Sequence, residues 1–223
     1  MESRRSLLVI GWLAISVGPA ARLAAQADPD RAVMGGGVLP EGWNARTERN
    51  APLTNVKFVI MGNGVHVTVG PAAIYWRAAD TASGSYHTVA SFTQTKAPTH
   101  PEAYGMIIGG QNLADSSQSY TYFLVRTKGD TGEFTIRRRA GYATRPTAVV
   151  EWTANAAVRG ADQAGAATNE LSILVQGGKV SFMVNGKEVS SANAADVDTR
   201  GVVGLRVNHN LDVHIGPLGV HRM

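Results

Sequence analysis

The second half of the chain consists of short runs of β-forming residues, each ended by glycine, asparagine or a charged residue. Between positions 169 and 190, apolar residues recur at every second position and so share one face of a strand: Leu171, Ile173 and Val175, then Val180, Phe182 and Val184. Gly177-Gly178 separates the two sets, and Asn185-Gly186 follows the second. Two-residue turns of this composition adopt positive φ values that match the twist of paired strands. The segment therefore predicts a three-stranded antiparallel meander.

Similar strand signals continue through most of the chain. The predicted strands fall near positions 57–61, 65–69, 72–77, 85–95, 104–110, 119–126, 133–139, 147–152, 169–176, 179–184, 187–190, 201–207 and 211–221. Helical signals are confined to an alanine-rich stretch at 154–168, which is interrupted by two glycines. About a dozen short strands with short turns predict either two packed sheets or a closed barrel. We expect an all-β, antiparallel two-sheet β-sandwich.

The N-terminus has the organisation of an export signal. Arg4 and Arg5 precede an apolar run at 7–17, and Ala25-Gln26-Ala27 offers small residues at a cleavage site. The run is short for a membrane span of about 20 residues, so a retained anchor is the weaker alternative. We expect a signal peptide at 1–27, cleavage before Asp28 by either the general or the twin-arginine route, and a periplasmic or extracellular protein without a membrane span.

Past this signal, we predict a poorly ordered or extended lead-in at 28–50 and a single sandwich domain at 51–223. The chain contains no cysteine, which excludes disulfides, thiolate metal sites and cysteine nucleophiles. Its formal charge of +4 falls to about +2 once the signal is removed. The longest basic run is Arg137–Arg139, and neighbouring side chains of a strand point to opposite faces, so no nucleic-acid-binding patch is predicted.

An ordered set of motifs carries a family resemblance. The chain reads YGMIIGG at 104–110, YTYFLVR at 120–126, NELSILV at 169–175, VSFMVNG at 180–186 and GVVGLR at 201–206. In this order they resemble the concanavalin A-like lectin/glucanase superfamily, and most closely its secreted bacterial 3-keto-disaccharide hydrolase-like domains. The resemblance covers about residues 100–220. It implies a jelly-roll sandwich and a glycan or small sugar as ligand.

Few residues are candidates for catalysis. The paired-carboxylate motif E-x-D-x-x-E that laminarinase-like sandwiches carry on one strand does not occur in the sequence. Glu102 follows Pro101, which stiffens the approach to a glycine-rich strand, so it is a candidate general acid or a surface loop acid. If the protein is an enzyme, we expect Glu102 or Asp212 to act as acid or base, with His209 assisting.

Candidate ligand-binding residues combine aromatic rings with guanidinium and amide groups. Rings stack on sugars, whereas guanidinium and amide groups hydrogen-bond to hydroxyls; the candidates are Trp76, Tyr104, Tyr122, Arg126, Arg206 and Asn208. Buried tyrosines are the alternative interpretation, because they are common in sandwich cores. Residues 208–210 are either a hairpin tip or part of an extended strand. In both cases we expect Arg206, Asn208, His209 and Asp212 to lie close together.

The six histidines are scattered, and no cofactor or metal site is predicted. Asp196-Val-Asp198 offers only weak support for calcium. Three functions remain open: a glycan-binding module, a carbohydrate-active hydrolase or lyase, and a laminin-G-like protein interaction module. We expect a monomer, and we favour the binding module because no paired-carboxylate motif occurs.

Overall fold

The computed structural model describes residues 30–223, and the predicted signal peptide lies outside this range. The strands are β1 Trp43–Thr47, β2 Val56–Met61, β3 Gly64–Val69, β4 Ala73–Ala82, β5 Tyr86–Gln94, β6 Ala103–Gln111, β7 Ser119–Lys128, β8 Thr131–Ala140, β9 Thr147–Ala154, β10 Ala167–Gln176, β11 Lys179–Val184, β12 Lys187–Asn193, β13 Gly201–Val207, β14 Asp212–Ile215 and β15 Gly219–Arg222. Two single-turn 3-10 helices, Glu48–Asn50 and Leu53–Asn55, connect β1 to β2.

The strands form two antiparallel sheets. The seven-stranded sheet has the order β1-β4-β13-β6-β7-β8-β9. The eight-stranded sheet has the order β12-β11-β10-β5-β14-β3-β2, and β15 pairs with the part of β5 that β14 leaves unpaired. This arrangement confirms the predicted jelly-roll sandwich.

The predicted three-stranded meander is confirmed as β10-β11-β12. Its turns have positive φ at both central positions: 59° and 78° at Gly177 and Gly178, then 50° and 77° at Asn185 and Gly186. Glycine and asparagine tolerate this conformation at little steric cost, which explains how these dipeptides determine the register of the meander.

The structure departs from the predicted strands at two places, one where no strand was predicted and one where a single strand was predicted. β1 lies within the segment predicted as a lead-in and pairs with β4 from Trp43 opposite Arg77 to Thr47 opposite Ala73. The strand predicted at 211–221 is divided into β14 and β15. At the break, the Gly216 amide donates to the Ser91 carbonyl over 2.9 Å, and Pro217 follows with no amide proton to continue the ladder.

The core lies between the sheets and is rich in aromatic rings. The Phe123 ring lies edge-on to Phe182, with centroids 5.3 Å apart, and also to Phe134. Tyr104 stacks on Phe92, and its hydroxyl accepts a hydrogen bond from Asn169 Nδ2 over 3.3 Å. Burial raises the pKa of Tyr104 to about 12. Tyr104 is wholly enclosed between the sheets, so its predicted ligand contact is not supported and its role is in the core.

The ring cluster around Phe123 gives a stability prediction. Replacing Phe123 by Ala should lower the free energy of unfolding by about 3–5 kcal/mol, because the ring is wholly buried and its removal leaves a cavity. Urea unfolding followed by circular dichroism measures the change. Val59→Ala, at an exposed position of β2, is the control and should change stability by less than about 0.5 kcal/mol. Equal losses in both variants would contradict this account of the core.

Candidate functional site

A second apolar cluster covers the outer face of the seven-stranded sheet. Its members alternate with the residues of the intersheet core, and they include Ile74, Trp76, Ile107, Tyr120, Tyr122 and Leu124. Trp76 and Tyr122 are only 7% and 6% exposed. Both candidate ligand-binding rings therefore lie on this outer face, but they are largely buried in the cluster.

Strand register adds arginines to the same face. Tyr120 lies opposite Arg139 and Tyr122 opposite Arg137, on the adjacent strands β7 and β8. The Arg138 side chain points to the opposite face of β8, and its Nε forms an ion pair with Asp198 Oδ2 at 2.8 Å. The three consecutive arginines thus do not form one patch, as predicted, but two of them share a face with the aromatic cluster.

Glu48 connects Arg139 to a fourth arginine, Arg206 on β13. Its Oε1 accepts a hydrogen bond from Arg139 Nη2 over 3.2 Å and another from Arg206 Nη2. Arg206 also donates to the Tyr120 hydroxyl over 3.3 Å and lies over the Tyr122 ring. Burial alone would lower the pKa of Arg206, but the Glu48 carboxylate together with Tyr120 and Tyr122 outweighs burial and raises that pKa, so the guanidinium stays charged.

A cavity of about 400 Å³ opens beside Glu48. It is lined by Glu48, Gln118, Arg139 and residues 142–146, and we call it the arginine cavity. Arg46 lies over its wall, with Cζ 5.4 Å from the Tyr142 ring centroid. None of these residues was predicted as a site residue. The spacing of Arg137 and Arg139 by two positions indicates in the sequence that both point to one face of a strand. Only the pairing of β8 with β7 shows that this face also carries Tyr120 and Tyr122.

Arg126 lies on the same outer face, nearer the β9 edge. Its guanidinium carbon is 3.9 Å from the Trp152 ring centroid, and its Nη2 donates to Glu133 Oε2 over 2.6 Å. The hydrogen bond from Arg126 lowers the pKa of Glu133 below its usual range. Arg126 and Trp152 therefore form a half-buried stacked pair that is a second polar-aromatic feature of this face.

Glu102 and His209 meet where the chain crosses between the sheets. His209 Nδ1 lies 3.3 Å from Glu102 Oε1, and the Glu102 side chain is only 12% exposed. The Asn208 amide donates to the Ala103 carbonyl over 2.8 Å. Asn210 has φ of 57°. Residues 208–210 are thus a turn that leads from β13 in one sheet to β14 in the other, which neither predicted alternative describes fully.

Asp212 lies elsewhere. It is opposite Thr68 on the outer face of the eight-stranded sheet, because its neighbour Val213 points into the core. Arg206 and Asp212 therefore point to opposite outer faces of the sandwich. The prediction that they lie together is wrong, because the chain changes sheet between them.

The Asp212 carboxylate holds the N-terminal part of the described chain against β14. It pairs with Arg31 at 2.9 Å and Lys96 at 2.6 Å, and it accepts a hydrogen bond from Thr68 over 2.7 Å. Partial burial alone would raise its pKa, but the hydrogen bonds from Lys96, Thr68 and Arg31 outweigh burial and lower the pKa to about 2. Asp212 is therefore an ionised structural anchor at neutral pH.

The residues that suggested calcium are engaged in other contacts. Both carboxylate oxygens of Asp198 accept hydrogen bonds from Arg138, and Asp196 accepts one from Asn193. Within residues 30–223, no group of three or more His, Asp or Glu side chains is placed to hold a metal ion. No helix in this part of the chain has the length and apolar character needed to cross a membrane.

Solved structures share this architecture at low sequence identity. The carbohydrate-binding module CBM66 of Bacillus subtilis is 16% identical, with a TM-score of 0.55 over 81% of this chain and 95% of the module. A legume lectin-like domain of Entamoeba histolytica is 9% identical, with a TM-score of 0.54 over 82% of this chain and 90% of the domain. Alginate lyase A1-II′, of polysaccharide lyase family 7, is 10% identical, with a TM-score of 0.51 over 82% of this chain and 96% of the lyase.

At these identities the likeness establishes the fold alone. No protein-family model matches the chain, and a search of curated proteins gives no significant match. The jelly-roll β-sandwich implied by the sequence motifs is confirmed. The nearer resemblance to 3-keto-disaccharide hydrolase-like domains stays a prediction.

The anchoring role of Asp212 predicts a pH dependence. Asp212→Asn should lower the free energy of unfolding by about 1–3 kcal/mol at neutral pH, since the charge-assisted hydrogen bonds are weakened. Because the folded-state pKa is lowered, the wild-type advantage is present above about pH 4, the unfolded pKa, and is lost as the pH falls towards 2. Urea midpoints between pH 7 and pH 2 test this, with Asp130→Asn at an exposed position as control. A stability difference between the wild type and Asp212→Asn that stays constant from pH 7 to pH 2 would contradict the anchoring role of the carboxylate.

The ion pair between Glu48 and Arg206 predicts that losing the carboxylate alone destabilises the fold more than losing both charges. Glu48→Gln should destabilise the fold by about 1–3 kcal/mol, because it leaves the buried Arg206 guanidinium without its anionic partner. Adding Arg206→Met should recover part of that loss, since the more deeply buried charge is then removed and only Arg139 has lost its anionic partner. Chemical unfolding of the two single variants and the double variant measures this coupling. Additive losses would show that the ion pair does not hold the site together.

Proposed function

We propose that this chain is a carbohydrate-binding β-sandwich whose ligand lies on the outer face of the seven-stranded sheet. The observation that carries the proposal is the arginine cavity. Side chains that are distant in sequence meet there: Glu48 from the segment after β1, Gln118 from the segment before β7, and Arg139 from β8. Tyr142 adds an aromatic wall.

The chemistry of the cavity suits a sugar. Guanidinium, amide and carboxylate groups hydrogen-bond to hydroxyls, and together they supply both donors and acceptors. A volume of about 400 Å³ is within the range of small-ligand sites. The similar solved structures include a protein titled as a carbohydrate-binding module and one titled as lectin-like, which supports the same ligand class. We further propose that the protein acts as a monomer outside the cytoplasm, after removal of its signal peptide.

A glycan array followed by titration calorimetry on the glycans that bind tests this function. Arg139→Ala and Tyr142→Ala should each weaken binding about tenfold or more, because each removes a wall of the cavity. Arg159→Ala, an exposed arginine that does not line the cavity, should leave the affinity unchanged. Near-ultraviolet circular dichroism checks that each variant is folded. Equal affinities in all four proteins would place the ligand elsewhere.

A hydrolase or lyase is the second candidate, and the Glu102–His209 pair favours it. A carboxylate that accepts the Nδ1 proton of an imidazole orients the ring and leaves Nε2 available as a base. A hydrolysis and elimination screen that includes 3-keto sugars tests this candidate. Turnover that is abolished by Glu102→Gln, but kept by Glu170→Gln at an exposed position, would establish an enzyme. If the protein shows neither glycan binding nor turnover, a laminin-G-like interaction module is favoured instead.

A further inference from the structure

The arginine cavity carries an excess of positive charge. Arg139 and Arg145 line it, Arg46 lies over its Tyr142 wall, and Arg206 reaches it through Glu48. Glu48 is the one carboxylate among the lining residues. Outside the lining, the Arg46 charge interacts with Asp115; hydrogen bonds from Ser117 and, more weakly, the Arg46 charge lower the pKa of Asp115. The cavity lining itself thus contains two guanidinium groups and one carboxylate, and Arg46, Arg206 and Asp115 lie around it.

Several polar atoms around this cavity are buried without a hydrogen-bond partner. Within residues 30–223 there are six such side-chain atoms, and four of them belong to this region: the Nε atoms of Arg46, Arg139 and Arg206, and Oε1 of Gln118. Arg139 and Gln118 line the cavity and are only 8% and 5% exposed. Buried polar groups are nearly always hydrogen-bonded, so the atoms of Arg139 and Gln118, the two of these residues that line the cavity, indicate a site built for a polar ligand.

The free atoms also indicate the chemistry of that ligand. A guanidinium Nε–H donates to an anionic oxygen, and guanidinium groups match carboxylates and sulfates in geometry and charge. Gln118 Oε1 accepts, so it requires a hydroxyl or another donor. The two requirements together describe a sugar ring that bears both an oxyanion and free hydroxyls. A neutral sugar would satisfy the amide but leave the excess positive charge uncompensated.

We infer that the arginine cavity binds an acidic saccharide, with its carboxylate or sulfate group placed against Arg139 and Arg145. This inference rests on the proposed function and specifies its ligand class. Arg206 and Glu48 form the buried support of the site, because Glu48 fixes Arg139 while it neutralises Arg206. Arg145 is exposed at the rim, so its contact with the ligand is the most sensitive to salt.

The test compares polymers that differ only in charge. Polygalacturonate and its fully methyl-esterified form isolate the carboxylate, and dextran sulfate and dextran isolate the sulfate ester. Titration calorimetry with the full chain should show binding to at least one acidic member, at least tenfold tighter than to its neutral counterpart. The affinity for that member should fall as sodium chloride is raised from 50 to 300 mM, roughly the range over which a rim charge becomes screened.

Variants of three arginines separate a specific site from general attraction. Arg145→Gln, at an exposed position that does not threaten folding, and Arg139→Gln should each weaken binding of the acidic polymer about tenfold or more. Arg159→Gln removes the same charge outside the cavity and should leave the affinity within about twofold. An equal loss in all three variants would reflect net charge alone and overturn the site.

The remaining outcomes distinguish this inference from the proposed function. If a neutral polymer binds as tightly as its acidic counterpart, the acidic-ligand inference is overturned and the carbohydrate-binding function stands. If neither these polymers nor any neutral glycan of the array binds, the proposed function itself fails. Preference for polygalacturonate identifies a uronate as the acidic group, and preference for dextran sulfate identifies a sulfate ester.

Discussion

Alternation of side chains in the seven-stranded sheet is the constraint on which the rest of the structure depends. Along β7, Phe123 points into the intersheet core, and its neighbours Tyr122 and Leu124 must therefore point outwards. The tightly packed core thus fixes the position of every residue on the outer face. Among the residues that line the arginine cavity, Arg139 is held in this way on β8, whereas Glu48, Gln118 and residues 142–146 come from the segments between strands.

The arginines on this face create an electrostatic problem that Glu48 solves only in part. Burying a guanidinium is unfavourable unless a partner compensates the lost hydration. One carboxylate contacts both Arg139 and Arg206, so the two cations share a single negative charge. The fold tolerates this because Tyr120 and Tyr122 offer Arg206 a hydroxyl acceptor and a ring face. The charge that remains uncompensated is the property that distinguishes this face from ordinary sandwich surface.

Local patterns in the sequence predict the strands well and the site poorly, for a physical reason. The Gly-Gly and Asn-Gly turns encode each hairpin within a few residues, so the β10-β11-β12 meander can be predicted from the sequence alone. β1 has no apolar alternation, and it is a strand only because β4 offers its edge. Glu48 and Arg206 are 158 positions apart, and they meet only after β13 has paired with β4. Residues that converge in this way leave no signal in a single sequence.

The crossing of the chain at 208–210 bears on the choice between binding and catalysis. A hydrolase that uses two carboxylates needs both within reach of one glycosidic bond. Asp212 lies on the outer face of the eight-stranded sheet, and Arg31 and Lys96 keep it ionised, so it cannot serve as an acid to Glu102. An enzyme built on the predicted residues would have to rely on Glu102 and His209 without Asp212. The arginine cavity needs no such partner, and for this reason binding is the better-supported function.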